Sequence, residues 1–334
     1  MKGAGRRFSR TSPSADNRSV LPLRSAATIR HSSRTTSHWP LLTTTSSSLS
    51  PSILTAVSRT ETVAVTVSVV IPTFDRASVL SRALESVFLQ TRPPDEVLVV
   101  DDGSTDDTVE RVQAKFPTVR LIEQENRGVS AARNAGIRAA TGTWIALLDS
   151  DDEWLGEKLD RQLRAVAAEP ETVLCHTDEI WIRRGRRVNP MKKHRKHGGH
   201  IFERCLPLCV ISPSSVLLHR RLFETVGWFD EDLPACEDYD YWLRVTARFP
   251  VLFLDEPLIV KHGGHDDQLS RRYWGMDRFR IQALEKILAS ETLGDSDRAA
   301  AESMLAHKVA IYAAGAKKRG KLAEARAYEH RLES

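Results

Sequence analysis

The stretch VSVVIPTFDR (Val67–Arg76) is an apolar, largely β-branched run that ends at a proline and is followed, after Thr73 and Phe74, by an acid and a base. A strand with one wet face alternates apolar and polar residues, whereas a near-continuous apolar run is the pattern of a strand covered on both faces. Reading outward, Leu80, Leu84, Val87 and Phe88 fall on one helical face behind Ser78, a candidate cap. EVLVV (Glu96–Val100) predicts a second strand, and a helix with Val109, Val112 and Phe116 in register follows the turn residues DDGSTDDT. VRLIE (Val119–Glu123), a helix in GVSAARNAGIRAAT (Gly128–Thr141) and WIALL (Trp144–Leu148) continue the alternation. This βαβαβαβ order predicts an α/β fold with a parallel, doubly wound central sheet.

Past Pro170 the rhythm loosens. Strands are expected at Thr172–Ile182 and Ser214–His219, with a turn at Arg183–Arg187 between them. A helix from about Asp238 to Phe249 and a strand pair within Val251–Val260 complete the body, and everything beyond Asp277 reads as helix. The resulting division is a tail over 1–62, a catalytic-type body over 65–270 and a helical region over 271–334.

Hydrophobic residues are 41% and charged residues 28% of the 334-residue chain, the balance of a globular protein. No stretch reaches the roughly 18 consecutive apolar residues of a membrane-spanning helix, which leaves peripheral membrane association open. Cys175, Cys205, Cys209 and Cys236 form no paired C-x-x-C spacing and read as buried thiols of a cytoplasmic protein. Residues 1–60 hold nine Lys or Arg against the single acid Asp16, so the remaining chain is mildly acidic despite the overall charge of +4. That argues against a nucleic-acid footprint spread over the body. The tail is rich in Ser, Thr and Arg and is expected to be disordered. It reads as a transit peptide, a basic arm, or sequence translated from an upstream start, the last favoured because the first strand begins abruptly.

In an open parallel sheet, ligands bind beyond the carboxyl ends of the strands. Asp75 follows the first strand, Asp101 and Asp102 the second, and Asp149 and Asp151 the fourth, so one sheet edge collects five carboxylates. Acids that close repel one another unless a cation intervenes. Mg²⁺ or Mn²⁺, held by one or two carboxylates together with substrate phosphates, meets that need. The Asp-x-Asp spacing alone carries little, since it recurs at 230/232, 238/240 and 295/297; only the copy at 149/151 closes a buried strand.

The blocks VSVVIPTFDRASVLSRALESVFLQT, EVLVVDDGSTDDT, ENRGVSAARNAGIRAATGTWIALLDSDDEW and EDYDYWLRV, in that order, closely resemble family 2 glycosyltransferases of the GT-A fold. The resemblance covers about residues 65–265. It implies a Rossmann-like three-layer sandwich with a mostly parallel sheet. It also implies inverting transfer of a sugar from a nucleotide-diphosphate sugar to the hydroxyl of a glycan or lipid-linked acceptor, in cell-surface polysaccharide or lipopolysaccharide assembly on the cytoplasmic side of the membrane. By the same resemblance Asp102 contacts the nucleotide base, and the loop carrying Pro72, Thr73 and Asp75 borders that pocket. Arg133 approaches the nucleotide or diphosphate, Asp149 the sugar or ribose, and Asp151 the divalent cation. Asp238 is the catalytic base, with Glu237 supporting it. His262 or His265 is a further metal ligand, His262 being favoured by position.

Plainer roles compete at each position. Asp101 could be a turn residue, Asp149 and Asp151 could cap a helix, Asp238 could be an N-cap, and Arg133 could simply pair with an acid. The loop KKHRKHGGH (Lys192–His200) could clamp an acceptor phosphate, but a solvated loop is the favoured reading. Trp228 is either core or an acceptor-side platform, Trp242 is expected in the core, and Asp240 at solvent or in a salt bridge. Two rival functions remain: a nucleotidyltransferase, disfavoured because PTFDRAS lacks a glycine, and a catalytically inactive nucleotide-sugar-binding module of the same fold.

Overall fold

The computed structural model describes residues 65–189, 191–264, 273 and 275–332. The tail and His265 lie outside the described residues. Strand β1 (Val67–Thr73) is buried along its whole length. It pairs in parallel with β2 (Glu96–Asp101) on one side and β4 (Trp144–Leu147) on the other, and β3 (Arg120–Glu123) adds in parallel outside β2. Helices α1 (Leu80–Phe88), α2 (Thr108–Lys115) and α3 (Val129–Ala139) make the crossovers.

The unbroken apolar character of β1 has a direct cause in packing. Val67, Val69 and Ile71 enter a cluster with Leu80, Leu84, Val87 and Val112. Val70 enters a second cluster with Leu98, Ile137 and Leu147. Both faces therefore exclude water, as a central parallel strand requires. Gly136 lets α3 lie close to the sheet, because a Cβ there would collide with the side chains of Val70 and Val100. Ser78 does not cap α1; the Val79 and Leu80 N–H groups instead donate to the Arg76 carbonyl.

The second half comprises β5 (Glu153–Trp154), α4 (Lys158–Ala168), β6 (Leu174–Arg183), β7 (Arg186–Val188), α5 (Phe202–Cys205), β8 (Leu217–His219), α6 (Arg221–Thr225), α7 (Glu237–Thr246) and β9 (Leu252–Gly263). The sheet order is β3-β2-β1-β4-β8-β6-β9-β5, with β7 paired to β6. Two details differ from the sequence reading. The expected turn at Arg183–Arg187 is a tight hairpin, since Arg184 and Gly185 both have positive φ and join β6 to β7, the backbone a two-residue hairpin needs. The expected strand pair is one strand, β9, running parallel to β6. Pro257 has no N–H for a regular ladder, and the register shifts opposite Asp178 absorb it.

Beyond the sheet lie α8 (Asp277–Ala289), α9 (Asp295–Lys318) and α10 (Leu322–Glu329). Phe279, Ile281, Leu284, Leu305, Val309 and Tyr312 join the same cluster as Tyr239, Trp242 and Val245 of α7, so α8 and α9 pack on the body. Among the described residues no helix is long and apolar enough to cross a membrane.

Candidate functional site

The carboxyl ends of β1, β2 and β4 hold the predicted acids, but these acids differ in what they already touch. Asp101 accepts the backbone N–H of Ser104 at 2.9 Å as well as its hydroxyl, which makes it the turn residue of the plainer reading. Asp75, at φ +49°, accepts the Thr105 N–H at 2.7 Å and ties the first loop to the second. Asp102 is buried and accepts from Gln124 Nε2 (2.7 Å) and the Arg127 N–H (2.9 Å) on one oxygen and the Gly128 N–H (2.8 Å) on the other. A carboxylate offers about four acceptor positions, so Asp102 fixes the loop into α3 and keeps capacity for a ligand. Gly128 has φ +91°, a conformation that suits glycine at this entry to the helix.

Asp102 lines a cleft of about 160 Å³ with Pro72, Thr73, Gly128, Val129 and Ser150. The buried hydroxyls of Thr73 and, one residue into α3 from Val129, Ser130 have no hydrogen-bond partner among the described residues. Buried polar groups are normally satisfied, so Thr73, which lines the cleft, gives it unused hydrogen-bonding capacity. A larger cavity of about 440 Å³, lined by Glu169, Thr172, Gly199 and Phe253 among others, lies at the opposite ends of β6 and β9 and shares no lining residue with this cleft.

Arg133 links the two halves of the site. Its guanidinium donates to Asp149 Oδ1 at 2.7 Å and to Glu237 Oε1 at 2.5 Å. Burial opposes its charge, but Asp149 and Glu237 more than compensate and hold its pKa above the ordinary value. Helix α3 thus runs from the Gly128 N–H on Asp102 to Arg133, about 7.5 Å at 1.5 Å per residue. In this way it joins the end of β2, the end of β4 and the first turn of α7. Glu237, buried beside Arg133, has its pKa raised by burial despite that partner. Asp238, half-buried, accepts the Tyr239 N–H at 2.7 Å on Oδ1 and the Cys209 thiol at 3.1 Å on Oδ2.

The turn after β4 is held from three sides. Arg82 of α1 donates to the Asp151 carbonyl at 2.6 Å, and the Asp149 N–H donates to Ser214 Oγ at 3.1 Å. Asp152, which sequence reasoning passed over, accepts Ser214 Oγ at 2.7 Å and the His262 N–H at 3.1 Å, so it brings the end of β9 to the acidic turn. Burial drives the Asp152 pKa well above the ordinary carboxylate range; Lys261 pulls it down, while Asp151 and Asp149 push it further up. His262 Nε2 lies 3.3 Å from Glu153 Oε1. Among the described residues no group of three or more His, Cys, Asp or Glu is placed to hold a metal by itself.

A second polar assembly lies beneath this edge. Lys196, buried, pairs with Glu179 at 3.1 Å, and both Lys196 and Lys261 donate to Ser212 Oγ at 3.2 Å. Burial works against Glu179, yet Lys196 and Lys261 bring its pKa down to about 2. The loop read as solvated is therefore packed at Lys196, and the reason is the distant partner Glu179, which local sequence does not reveal. Asp240 is buried and paired with Arg244 (2.7 Å) and Lys286 (2.8 Å), the salt-bridge reading rather than the solvent one. Trp242 is core. Trp228 stacks on Phe223, has Arg138 4.6 Å over its ring, and is 37% exposed.

Comparison with known proteins adds to this geometry. The family model described as "Glycosyl transferase family 2" matches residues 68–227. An uncharacterized glycosyltransferase of Rickettsia felis is 32% identical over 194 residues, which is 58% of this chain and 32% of that protein. The chain thus spans about a third of that relative's length. The uncharacterized glycosyltransferase YwdF of Bacillus subtilis is 30% identical over 193 residues, covering 55% of this chain and 69% of YwdF. Among solved structures, S. aureus TarS 1–349 in complex with UDP-GlcNAc superposes with a TM-score of 0.57 at 21% identity, covering 73% of this chain and 71% of that one. The mannosyltransferase PcManGT of Pyrobaculum calidifontis, in complex with GDP-Man and Mn²⁺, gives 0.53 at 20% identity, covering 80% and 83%. These two similarities establish a shared fold.

Proposed function

Because the chain belongs to glycosyl transferase family 2, we propose that it transfers a sugar from a nucleotide-diphosphate sugar to an acceptor hydroxyl, with inversion at the anomeric carbon. The observation that carries this reading is the convergence through α3 of Asp102, Asp149 and the Glu237–Asp238 pair on one edge. The cleft beside Asp102, lined also by Thr73 with its unpartnered hydroxyl, takes the nucleotide. Pro72 lines its wall, and Asp75 fixes the adjoining loop through the Thr105 N–H. Asp149, fixed by Arg133, faces the sugar or ribose, and Arg133 places a permanent positive charge behind it.

Asp238 takes the acceptor's proton as the acceptor oxygen attacks the anomeric carbon, and the diphosphate leaves with the bonding pair. Three features suit Asp238 to this role. It lies in the first turn of α7, where the helix dipole favours an ionised carboxylate. One oxygen is steadied by the Tyr239 N–H. Glu237 is occupied by Arg133, which leaves Asp238 as the carboxylate of the pair able to accept a proton.

The residues around Asp151 fit Mg²⁺ or Mn²⁺. Asp151 offers hard oxygen, and His262, whose backbone N–H donates to Asp152 at the acidic turn, offers an imidazole; burial first, and then the charges of Asp151 and Asp149, raise the pKa of Asp152, while Lys261 opposes them. One or two protein ligands suffice when substrate phosphates complete the shell. When bound, the cation would neutralise charge developing on the leaving diphosphate. That PcManGT was solved with Mn²⁺ and GDP-Man, and TarS with UDP-GlcNAc, supports the donor class and the use of a cation. The pathway we propose, cell-surface polysaccharide or lipopolysaccharide assembly at the cytoplasmic face of the membrane, rests on the family alone.

The test is a thermal-shift screen of UDP-, GDP-, dTDP- and CMP-linked donors with Mn²⁺ or chelator, followed by donor turnover. Stabilisation by one nucleotide class, reduced in Asp151→Ala, is expected. Asp238→Asn should keep that stabilisation and lose about 10²–10⁴-fold in turnover. Binding without turnover in the unmodified chain would make it a nucleotide-sugar-binding module instead.

A further inference from the structure

The Cys209 thiol stands between two acceptors. Its Sγ is 3.1 Å from Asp238 Oδ2 and 3.1 Å from the Ile211 carbonyl oxygen. A thiol has one proton to give, so it serves one of these at a time. It also keeps that proton: burial first, and then the charge of Asp238, push the Cys209 pKa well above the ordinary thiol value. The other charged or titratable groups acting here are Glu237, Cys236 and Tyr239 at the start of α7, Arg133 from α3 and Arg280 from α8. Lys196 and Lys261 act on the thiol itself. Among the described residues both lysines donate to Ser212 and Lys196 also pairs with Glu179, not with Asp238. Among the described residues Cys209 is thus the side-chain donor to Asp238.

We propose that Cys209 is a positioning residue for Asp238, its S–H bonding the waiting carboxylate and turning to the Ile211 carbonyl once Asp238 has taken up a proton. The inference rests on Asp238 being the base of the proposed transfer. The acceptor's proton moves to Asp238, the thiol proton stays on sulfur throughout, and neither state leaves the thiol without an acceptor. A fixed backbone donor could not follow the change. A weak neutral donor also suits the task, since it favours the ionised form without removing its basicity.

Two variants and one spectroscopic readout test this in the full chain. Cys209→Ala deletes a donor to the charged form, so the acid limb of kcat/KM should move to higher pH. Cys209→Ser restores a donor and should return the limb towards its original position. A purely structural role would lower kcat evenly across pH and leave the limb in place, which would overturn the proposal. Independently of turnover, the infrared S–H stretching band of Cys209 can be isolated by difference against Cys209→Ser. It should shift as Asp238 titrates and become insensitive to that titration in Asp238→Asn. A band indifferent to pH in the unmodified chain would overturn the hydrogen bond itself. A titrating band in a chain that turns over no donor would leave the bond standing but remove the transfer reading, and with it this role.

Discussion

At the ends of β1 and β2, acidic side chains are met by backbone N–H groups a few residues away or in the neighbouring loop. Asp101 binds Ser104, Asp75 binds Thr105, and Asp102 binds Arg127 and Gly128. In the β8-β6-β9 half, buried charges are met by other charges brought from far along the chain, as Glu179 is by Lys196 and by nearby Lys261. Loops that fix acids by backbone donors can be recognised as short motifs. A network of paired side chains leaves no such local mark. The first half therefore positions the donor-side acids by local backbone, and the second holds its buried charges, and the elements that carry Asp238 and His262, by distant pairs.

The sharpest way to break this contrast is to remove one charge from the second half. Glu179→Gln would leave Lys196 buried without its partner, and breaking a buried pair costs about 3–5 kcal/mol. A fall of that size in the unfolding free energy by chemical denaturation is expected, with Lys196→Met similarly affected. A change below about 1 kcal/mol would mean that the two halves are not held differently. By contrast, Asp102→Ala leaves donors that lie close to the cleft, and about 1–3 kcal/mol of stability should be lost. Its distinguishing sign is a larger loss of nucleotide-donor binding than Glu179→Gln produces, measured by calorimetry on both folded variants.

These expectations also explain what could be read in advance. β1 was legible because a near-continuous apolar run has one physical explanation, and Asp102 and Asp149 were legible because their strands ended there. Asp152, Ser214 and Lys261 were not. Asp152 sits in the same acidic run as Asp151, and only the pairing of Asp152 with His262 and Ser214 separates their roles. β9 was read as a pair of strands because Asp255, Glu256 and Pro257 look like a turn; the parallel partner β6, some eighty residues earlier, absorbs them as a register shift. Lys196 looked like part of a basic loop because Glu179 lies on another element.

Acid provides a smaller, graded test of the second half. His176 is fully buried, and burial together with the charge of Lys196 lowers its pKa to about 3 from an ordinary 6.5. Between those values the unfolded chain binds a proton that the folded chain refuses, so stability is lost as pH falls from 6.5 towards 3. Glu179, at about 2 against 4.5, adds stability that is present above pH 4.5 and lost as pH falls towards 2. Substituting His176 with Gln should reduce the part of the acid decline that begins near pH 6.5, to which His194, His197 and His219, lowered mainly by burial, also contribute. It should leave the part below 4.5 intact. Loss of both parts, read from the midpoint of thermal unfolding across this range, would show that the two groups titrate as one unit.

The smallest effect concerns Lys158, where α4 meets both halves. Its ammonium is fully buried, donates to Gln162 Oε1 at 2.8 Å and lies 4.0 Å from the Trp154 ring. These are neutral partners, and burial lowers its pKa to about 7 from 10.5. Here the sign is the reverse of the usual paired lysine. Between pH 7 and 10.5 the unfolded chain holds a proton that the folded one lacks, so this group makes stability rise with pH across that window. Below pH 7 both states are charged, and the full cost of burying the ammonium is borne by the fold. Lys158→Met keeps the length of the side chain and removes the charge, so it should stabilise the protein most near and below pH 7 and flatten the rise above it. The gain is limited because Gln162 and the Val216 carbonyl lose a donor. If Lys158→Met instead destabilised the protein equally at pH 6 and pH 10, the lysine would be serving as a hydrogen-bonding link rather than as a tolerated charge. The rule of paired charges in the second half would then extend to neutral partners as well.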